Sequence, residues 1–464
     1  MPDTPAPAFR VEHDSLGEIG VPAAAYWGAQ TARAVVNFPI SGIPIAHHTQ
    51  LIRALAMVKQ AAALANLSLG ALSRERCDAI VAASQEIIDG KWHDQFPVDV
   101  FQGGAGTSTN MNINEVLSHR GLELMNNPDA TLHPNDHVNL SQSTNDTYPT
   151  SVRLSVLLSI APLCDALDRL AKSFEHKAEA TALIVKLGRT QLQDAVPMTV
   201  GQELGAYAAT IREDIQRLDE ASRLLCEVNL GGTAIGTRIN ADPAYGKRAI
   251  AELARVSGFP LVQSANLVEA SWDMGGFVMF SGVLKRIASK LSKIANDIRL
   301  LSSGPRGGIG EYAIPAMQPG SSIMPGKVNP VIPEVLNIVC FQVIGNDLAV
   351  TMAAEGGQLQ LNAFEPLIAH NILSSMSLLK NAVGTFTERC IDGIEARPEQ
   401  CARHIEAGVS TVTALVPLLG YERAAALAKQ ALAEGRTVRE LALLTGLLTE
   451  IQLDEVLHPA KLAG

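Results

Sequence analysis

Residues 267–302 read LVEASWDMGGFVMFSGVLKRIASKLSKIANDIRLLS, and this stretch decides the fold class. Its large apolar side chains recur every three or four positions, which is the spacing that aligns them along one side of an α-helix. The side chains of this stripe are Phe277, Phe280, Leu284, Ile287, Leu291, Ile294 and Ile298. A helix over the whole stretch would exceed roughly 50 Å in length. We therefore expect a bundle of long helices that bury more than one face and need neighbours from other subunits.

The same spacing recurs on both sides of this stretch and predicts the rest of the secondary structure. Predicted helices cover 51–66, 73–90, 113–125, 152–181, 200–227, 330–351 and 364–390, then the shorter segments 399–406, 409–419, 422–434 and 437–446. Almost nothing alternates with the period of two that is typical of strands. Residues 1–50 are rich in Pro and Gly and are expected to be irregular. The expected fold class is all-α.

Composition limits the partners of the chain. Charged residues make up 18% of the 464 residues, against about 25% in typical domains. So few charges predict that much of the surface is buried in subunit contacts. The net charge of −10 and the lack of a basic cluster argue against binding to nucleic acid or to an anionic membrane.

The cysteines and the first residues indicate the compartment. The six cysteines are scattered without CxxC spacing, which makes a zinc site or a disulfide framework unexpected and fits a reducing cytoplasm. Residues 1–5 lack the basic and apolar regions of a signal peptide. No uninterrupted apolar run approaches the roughly 18 residues of a membrane span. We expect a cytoplasmic protein that does not enter a membrane.

The segment 320–330, GSSIMPGKVNP, is the strongest candidate for a functional loop. Its prolines and glycines exclude regular helix or strand. A plain connection is one alternative, because such loops often only join elements. A phosphate loop is another, but the spacing between Gly320 and Gly326 is wrong and Val328 replaces the metal-binding hydroxyl. On its own, the segment indicates an anion site.

Four motifs, in order along the chain, resemble those of the fumarase/aspartase superfamily of homotetrameric lyases. They are 104–112 (GAGTSTNMN), 133–146 (HPNDHVNLSQSTND), 188–195 (GRTQLQDA) and 320–329 (GSSIMPGKVN). The resemblance extends from Tyr26 to Thr449. It implies an N-terminal mixed helical domain (1–145), a central domain of five long helices that forms a tetrameric core (146–397), and a small helical C-terminal domain (398–464). It also implies active sites shared between subunits.

The side chains in these motifs suit a small dicarboxylate. They offer hydroxyls, carboxamides, glycine N–H groups and one ammonium, and a desolvated carboxylate needs such charge-assisted hydrogen bonds. Removing a proton next to a carboxylate creates an aci-carboxylate with two negative oxygens. Donors fixed at that carboxylate bind more strongly as its charge grows. The group on the neighbouring carbon then leaves, so the predicted chemistry is β-elimination.

The resemblance implies a role for each residue of the serine loop. Ser321 would be the base that takes the proton from Cβ, and its alkoxide would be favoured by loop N–H groups and a nearby cation. Lys327 and Asn329 would hold the carboxylate on the carbon that bears the leaving group. Glu334 is a candidate ion-pair partner of Lys327, or a solvated residue in the first turn of a helix. The remaining substrate-binding candidates of the loop are Ser322 and Met324.

The other motifs supply two further groups of candidates. The hydroxyls expected at the carboxylate that becomes the dianion are those of Thr107, Ser143 and Thr144. The residues expected to face the leaving group are Asn145, Thr190 and Gln191. Without the resemblance, residues 143–146 would pass as an N-cap cluster for the next helix. His133, Asn135 and Asp136 are candidates for a secondary dicarboxylate site or for a simple turn.

The motif variants favour the aspartase branch over the fumarase branch. Fumarases typically have His where this chain has Gln191, and Ser where it has Thr144. A glutamine hydrogen-bonds but cannot transfer a proton as a histidine can, which suits ammonia as a leaving group better than hydroxide. The implied reaction converts L-aspartate to fumarate and ammonium with no required cofactor, and activation by a divalent cation stays open. The alternatives are a class II fumarase, an ammonia-lyase for an aspartate analogue, and a non-catalytic homologue.

Overall fold

Helices dominate the computed structural model, which describes residues 8–458 and 461. Those before residue 200 are α1 (Ala29–Asn37), α2 (Thr49–Ser68), α3 (Arg74–Ile88), α4 (Thr107–Met125) and α5 (Thr144–Ala180). The middle of the chain contributes α6 (Val200–Ser222), α7 (Tyr245–Ser257), α8 (Gly275–Leu301), α9 (Val331–Glu355) and α10 (Glu365–Phe386). The last helices are α11 (Pro398–Ala407), α12 (Val412–Leu419), α13 (Tyr421–Glu434), α14 (Val438–Leu444) and α15 (Glu450–Val456). The all-α prediction is confirmed.

Strands in the described residues are short and pair two by two. They are β1 (Phe9–Asp14), β2 (Gly17–Pro22), β3 (Val185–Thr190), β4 (Gln193–Thr199), β5 (Glu227–Val228), β6 (Val262–Gln263), β7 (Tyr312–Ala313) and β8 (Glu395–Ala396). β1 pairs with β2 and β3 with β4 as antiparallel hairpins. Sequence periodicity missed both hairpins, as it missed α1, α7 and α15.

Several helix ends differ from the predicted ones. The apolar helix predicted over 267–302 begins at Gly275, because Asp273 accepts a hydrogen bond from the Gly275 N–H and a 3₁₀ turn occupies Glu269–Ser271. Its 27 residues span about 40 Å, not the expected 50 Å. In contrast, α4 begins at Thr107, six positions before the predicted start at Ile113. The motif 104–112 therefore contains a helix N-terminus and not only a loop.

The chain forms two compact units. Unit 1 comprises Met1–Leu163, Arg217–Lys285 and Gln342–Leu378, and unit 2 comprises Cys164–Gln216, Arg286–Phe341 and Leu379–Gly464. Five long helices, α5, α6, α8, α9 and α10, contribute residues to both units. The three-domain division expected from the sequence stays a prediction.

In unit 1, α2 is the central helix. It packs against α3, α4 and α7, and 14 of its 20 residues are buried, on all sides of the helix. Only a core helix can be apolar around its whole circumference. One buried position on α2 is nevertheless a charged residue, Lys59.

Unit 2 has an aromatic contact and a small separate cluster. Phe174 on α5 packs against Tyr207 on α6 and Phe386 on α10. Near the end of the chain, α12 to α15 surround a core of their own, formed by Leu415, Leu427, Ala431, Val438, Leu441, Ala442, Leu448 and Leu453. Thr437 and Thr449 begin α14 and α15 with capping boxes, which satisfy N–H groups at both helix starts.

Helix α9 presents an apolar face that its own chain leaves uncovered. Its exposed side chains include Val335, Ile338, Phe341, Leu348 and Met352. By length and composition, α5 and α9 are each long and apolar enough to cross a membrane. The buried share of the most apolar 18-residue window is 61% in α5 but only 39% in α9. A core helix of a globular protein has the same length and composition, so these two properties alone do not indicate a membrane span. The exposed apolar face shows that the described residues of a single chain do not cover α9 completely.

Candidate active site

The serine loop is closed at its base by backbone pairing. The Gly320 N–H donates to the Lys327 carbonyl at 2.9 Å, and the Asn329 side-chain amide donates to the Gly320 carbonyl at 2.7 Å. A Cβ on Gly320 would lie 2.5 Å from the Lys327 carbonyl oxygen, so this closure requires glycine. Asn329 therefore holds the loop together, in addition to the substrate contact predicted for it.

Two backbone amides point at the candidate base. The N–H groups of Ile323 and Met324 donate to Ser321 Oγ at 3.2 and 3.0 Å. Donors aimed at an oxygen favour its negatively charged form. The loop thus supplies the backbone N–H groups that were expected beside Ser321, and the role of Ser321 as the base stays a prediction. Ser322, one position later, is exposed and receives no such pair of donors from the described residues.

Most of the loop is exposed in the single chain. Ile323 is 84% exposed, and Met324 and Lys327 are exposed as well. Lys327 forms no ion pair with any described residue, so the ion pair predicted with Glu334 does not form within one chain. Glu334 lies in the first turn of α9, where its carboxylate faces the positive end of the helix dipole.

The second group of candidates lies where α4 and α5 begin. Gly106 precedes α4 with a φ of 87°, and a Cβ there would lie 2.4 Å from the Tyr148 ring. Glycine is therefore needed for the turn that presents Thr107 as the first residue of α4. The Thr107 hydroxyl donates to the Gly104 carbonyl and is exposed.

Residues 143–146 lie at the N-terminus of α5 and are held by hydrogen bonds to the Asp146 carboxylate. The Asn145 N–H donates to Ser143 Oγ at 3.2 Å, and the Ser143 N–H donates to the Asp146 carboxylate at 3.0 Å. That carboxylate, fully buried, also accepts from the N–H groups of Gly231 and Thr233. Burial raises the pKa of Asp146 to about 6, although these backbone donors oppose the shift. The capping interpretation and the site interpretation therefore both fit this segment, since Ser143, Thr144 and Asn145 are only half-buried.

Lys59 is a member of this group that the sequence analysis missed. Its ammonium donates to the side-chain oxygens of Asn110, Asn139 and Gln142 at 2.7, 3.0 and 2.9 Å. The Asn110 amide then donates to Thr144 Oγ at 3.1 Å. A signal was present, because Lys59 is the one charged residue between Ala54 and Asn66.

Thr190 and Gln191 lie at the tip of the β3–β4 hairpin. Gln191 and Leu192 form its two-residue turn with φ values of 54° and 63°. Left-handed conformations at residues with side chains cost roughly 1–2 kcal/mol each, and such strain often accompanies function. Neither residue is Gly or Asn, which is why no turn signal was visible in the sequence.

A charged cluster in unit 2 anchors this hairpin. Lys186 and Arg189 on β3 both contact Glu311, whose carboxylate also binds His404. Burial alone would raise the pKa of Glu311, but Arg189, Lys186 and His404 outweigh it and hold the pKa below its ordinary value. The base of the hairpin is therefore fixed while its tip, with Thr190 and Gln191, is exposed.

His133 begins a short π-helical turn, Pro134–Val138, and its ring accepts from the N–H groups of Asn135 and Asp136. This contact agrees with the turn interpretation. His133 and Asn135 also line a cavity of about 1020 Å³ next to β1 and α1. The secondary dicarboxylate site stays a prediction. Among residues 8–458 and 461, no group of three or more His, Cys, Asp or Glu side chains is arranged to hold a metal ion, and none of the six cysteines forms a disulfide bond.

Comparisons with known proteins agree with the motifs. The family model described as Lyase matches residues 17–345, and the one described as Fumarase C C-terminus matches 412–464. Aspartate ammonia-lyase of Pseudomonas aeruginosa is 56% identical over 463 residues, covering 99% of this chain and 98% of that protein. Aspartate ammonia-lyase of Escherichia coli (strain K12) is 50% identical over 462 residues, 97% of each chain.

Solved structures agree as well. The "fumarate lyase:delta crystallin" from Brucella melitensis bound to cobalt is 61% identical, with a TM-score of 0.96, and the match covers 98% of this chain and 100% of that one. The class II fumarase from Schistosoma mansoni is 37% identical, with a TM-score of 0.92, over 98% of this chain and 99% of that one.

Gly320→Ala tests the closure of the serine loop. Because the new Cβ would overlap the Lys327 carbonyl, the bond from the Gly320 N–H should break and the loop should open. We expect faster hydrogen–deuterium exchange across 318–332 with unchanged helical circular dichroism. The control is Gly307→Ala, where nothing lies within 4 Å of the new Cβ. Native exchange in Gly320→Ala would show that the closure is not required.

Proposed function

The chain belongs to the fumarase/aspartase superfamily of lyases, and on that premise we propose that it is a carbon–nitrogen lyase that removes ammonia from L-aspartate to give fumarate. The observation that carries this proposal is the near full-length identity of 49–56% to relatives named aspartate ammonia-lyase. The fumarase from S. mansoni is less similar. Gln191, in place of a proton-carrying histidine, supports the same choice.

The proposed reaction is a reversible β-elimination. Ser321, as the alkoxide, takes a proton from Cβ of aspartate, and the electron pair of that C–H bond moves into the neighbouring carboxylate. The resulting aci-carboxylate carries two negative oxygens. Its electron pair then forms the Cα–Cβ double bond while the Cα–N bond breaks and ammonia leaves. The two N–H groups at Ser321 Oγ support the first step, since they stabilise the charged base.

The two carboxylates of aspartate are proposed to meet different donors. Lys327 and Asn329 bind the carboxylate on the carbon that carries the amine. An exposed ammonium that has no ion-pair partner among the described residues is available to this carboxylate. Thr107, Ser143 and Thr144 bind the carboxylate that becomes the dianion, and Asn145, Thr190 and Gln191 face the departing ammonia.

No cofactor is proposed for this chemistry. Hydroxyl, amide and ammonium donors stabilise the growing negative charge of the carboxylate directly. The cobalt of the B. melitensis structure belongs to that protein. Activation by a divalent cation is tested by adding Mg²⁺ or EDTA to the assay below.

We further propose that four chains assemble, with sites shared between them, in the cytoplasm. The exposed apolar face of α9 supports assembly, because such a face gains free energy when a second chain covers it. Light scattering should give a tetramer, and a fully active monomer would contradict the proposal. Mixed refolding of inactive Ser321→Ala and Thr144→Val chains should restore activity if one site uses residues of different chains. No recovery in mixed tetramers would show that the site lies within one chain.

A paired assay tests the reaction. Purified protein is given L-aspartate, L-malate or 3-methylaspartate in separate cuvettes, and the absorbance of the unsaturated product is followed. We expect fumarate from L-aspartate, with rates from the other two lower by at least ~10²-fold. Faster reaction with malate would identify a fumarase, faster reaction with methylaspartate would identify a lyase for an analogue, and no reaction would favour a non-catalytic homologue.

Ser321→Ala tests the base. The change removes one oxygen and little volume, so folding and assembly should survive. We expect kcat to fall by at least ~10²-fold, the lower end for a positioned base, with a much smaller change in ground-state binding. Ser322→Ala is the matched control and should be milder, because Ser322 lacks the pair of N–H donors. If Ser322→Ala were inactive and Ser321→Ala active, the assignment of the base to Ser321 would be wrong.

A further inference from the structure

The buried ammonium of Lys59 is in an unusual position. Lys59 is 0% exposed, and it forms no ion pair with any residue from 8–458 or 461. Its partners are three neutral amide oxygens, on Asn110, Asn139 and Gln142. Burying a charge without an opposite charge is costly, and amide oxygens offset only part of that cost. The buried Asp146 carboxylate acts on Lys59 through its charge but is itself held by three backbone N–H groups, so the ammonium can also attract an anion bound nearby.

The contacts of Lys59 also fix the direction of a hydrogen-bond chain. An ammonium can only donate, so the Asn110 atom that faces it must be the oxygen. The Asn110 nitrogen consequently points the other way and donates to Thr144 Oγ at 3.1 Å. Because Thr144 Oγ accepts from Asn110, its own hydroxyl proton is free to donate in another direction. Thr144 is half-buried at the start of α5, where that proton can reach a bound molecule.

We propose that Lys59 is a positioning residue of the ammonia-lyase site: through Asn110 it directs the Thr144 hydroxyl, and its charge lies behind the carboxylate that becomes the dianion. This inference rests on the proposed function, because it takes that carboxylate to bind at Thr144. Lys59 does not touch the substrate in this proposal. It acts through Asn110 and through its charge.

The effect should be larger in the transition state than in the bound substrate. The carboxylate at Thr144 carries one negative charge in aspartate and approaches two in the aci-carboxylate. A fixed positive charge in a poorly solvated region attracts the second form more strongly. Burial lowers the pKa of Lys59 to about 7, with Asp146 opposing the shift. A bound anion would favour the charged ammonium further.

A purely structural role is the competing explanation, and ligand binding separates the two. The test uses the full-length assembled protein with Lys59→Met, which keeps most of the volume and removes the charge. Two ligands are compared by calorimetry. Succinate resembles the substrate ground state. The nitronate of 2-amino-3-nitropropanoate places negative charge on two oxygens, as the aci-carboxylate does.

We expect Lys59→Met to weaken nitronate binding by at least ~10²-fold and succinate binding by less than tenfold, with a fall in kcat and little change in KM. Equal weakening of both ligands, or no weakening, would overturn the proposal. Gln60→Met is the matched control, because Gln60 is a buried neighbour on α2 that bonds to Gln85 instead. This control should bind both ligands as the unaltered protein does.

Asn110→Asp tests the same chain without removing Lys59, in case Lys59→Met does not fold. The new carboxylate would pair with the ammonium and neutralise it, and the amide donor to Thr144 would be lost. The same selective loss of nitronate binding is expected, and unchanged nitronate binding would overturn the proposal. In the double variant Lys59→Met/Thr144→Val, the losses should be far from additive. If the two losses of binding free energy were additive, Lys59 would not act on Thr144 through Asn110.

These outcomes are distinct from a failure of the proposed function. If the unaltered protein produces no fumarate from L-aspartate, the function is wrong, whatever the variants do. If the unaltered protein is active and Lys59→Met and Asn110→Asp keep their preference for the nitronate, only the role of Lys59 is wrong. The binding comparison requires no turnover and is therefore informative in either case.

Discussion

Two fully buried charges near the start of α5 are the constraint on which this part of the molecule depends. The Asp146 carboxylate is held by three backbone N–H groups, and the Lys59 ammonium by three amide oxygens. Each charge is satisfied by neutral dipoles, and no direct ion pair joins the two in the described chain. This arrangement is stable only if every hydrogen-bond partner keeps its position. When one partner is lost, the desolvation cost of the buried charge is no longer compensated. These hydrogen bonds therefore fix the conformation of the start of α5.

The candidate residues themselves are held mainly by backbone conformation. Gly320 allows the serine loop to close, Gly106 allows α4 to start beneath the Tyr148 ring, and the left-handed turn at Gln191 presents the tip of a hairpin. In each case the side chain with a proposed role is exposed or half-buried. Rigid support and an open functional surface together are what a binding site for a small anion requires.

Two exposed features of the described chain both favour contact with another surface. Helix α9 exposes an apolar face, and the serine loop exposes Ile323 and Lys327, whose ammonium has no ion-pair partner between residues 8 and 458. An apolar face and a free cation both gain stability when another surface covers them, the first by burial and the second by charge pairing. Assembly with other copies would therefore complete the packing of α9 and the surroundings of the loop together.

The sequence by itself determined the helical fold class, the approximate extent of the long helices and the identity of the motif residues. Apolar spacing is a local property of a helix, and the motifs are contiguous, so both are visible without coordinates. Only the tertiary structure revealed the strained turn at Gln191, the early start of α4 and the contacts of Lys59. The turn lacks the usual Gly or Asn, and its conformation is imposed by strand pairing and by the Glu311 cluster. Lys59 is far from Asn110, Asn139 and Gln142 along the chain, and only folding brings one ammonium within hydrogen-bond distance of all three.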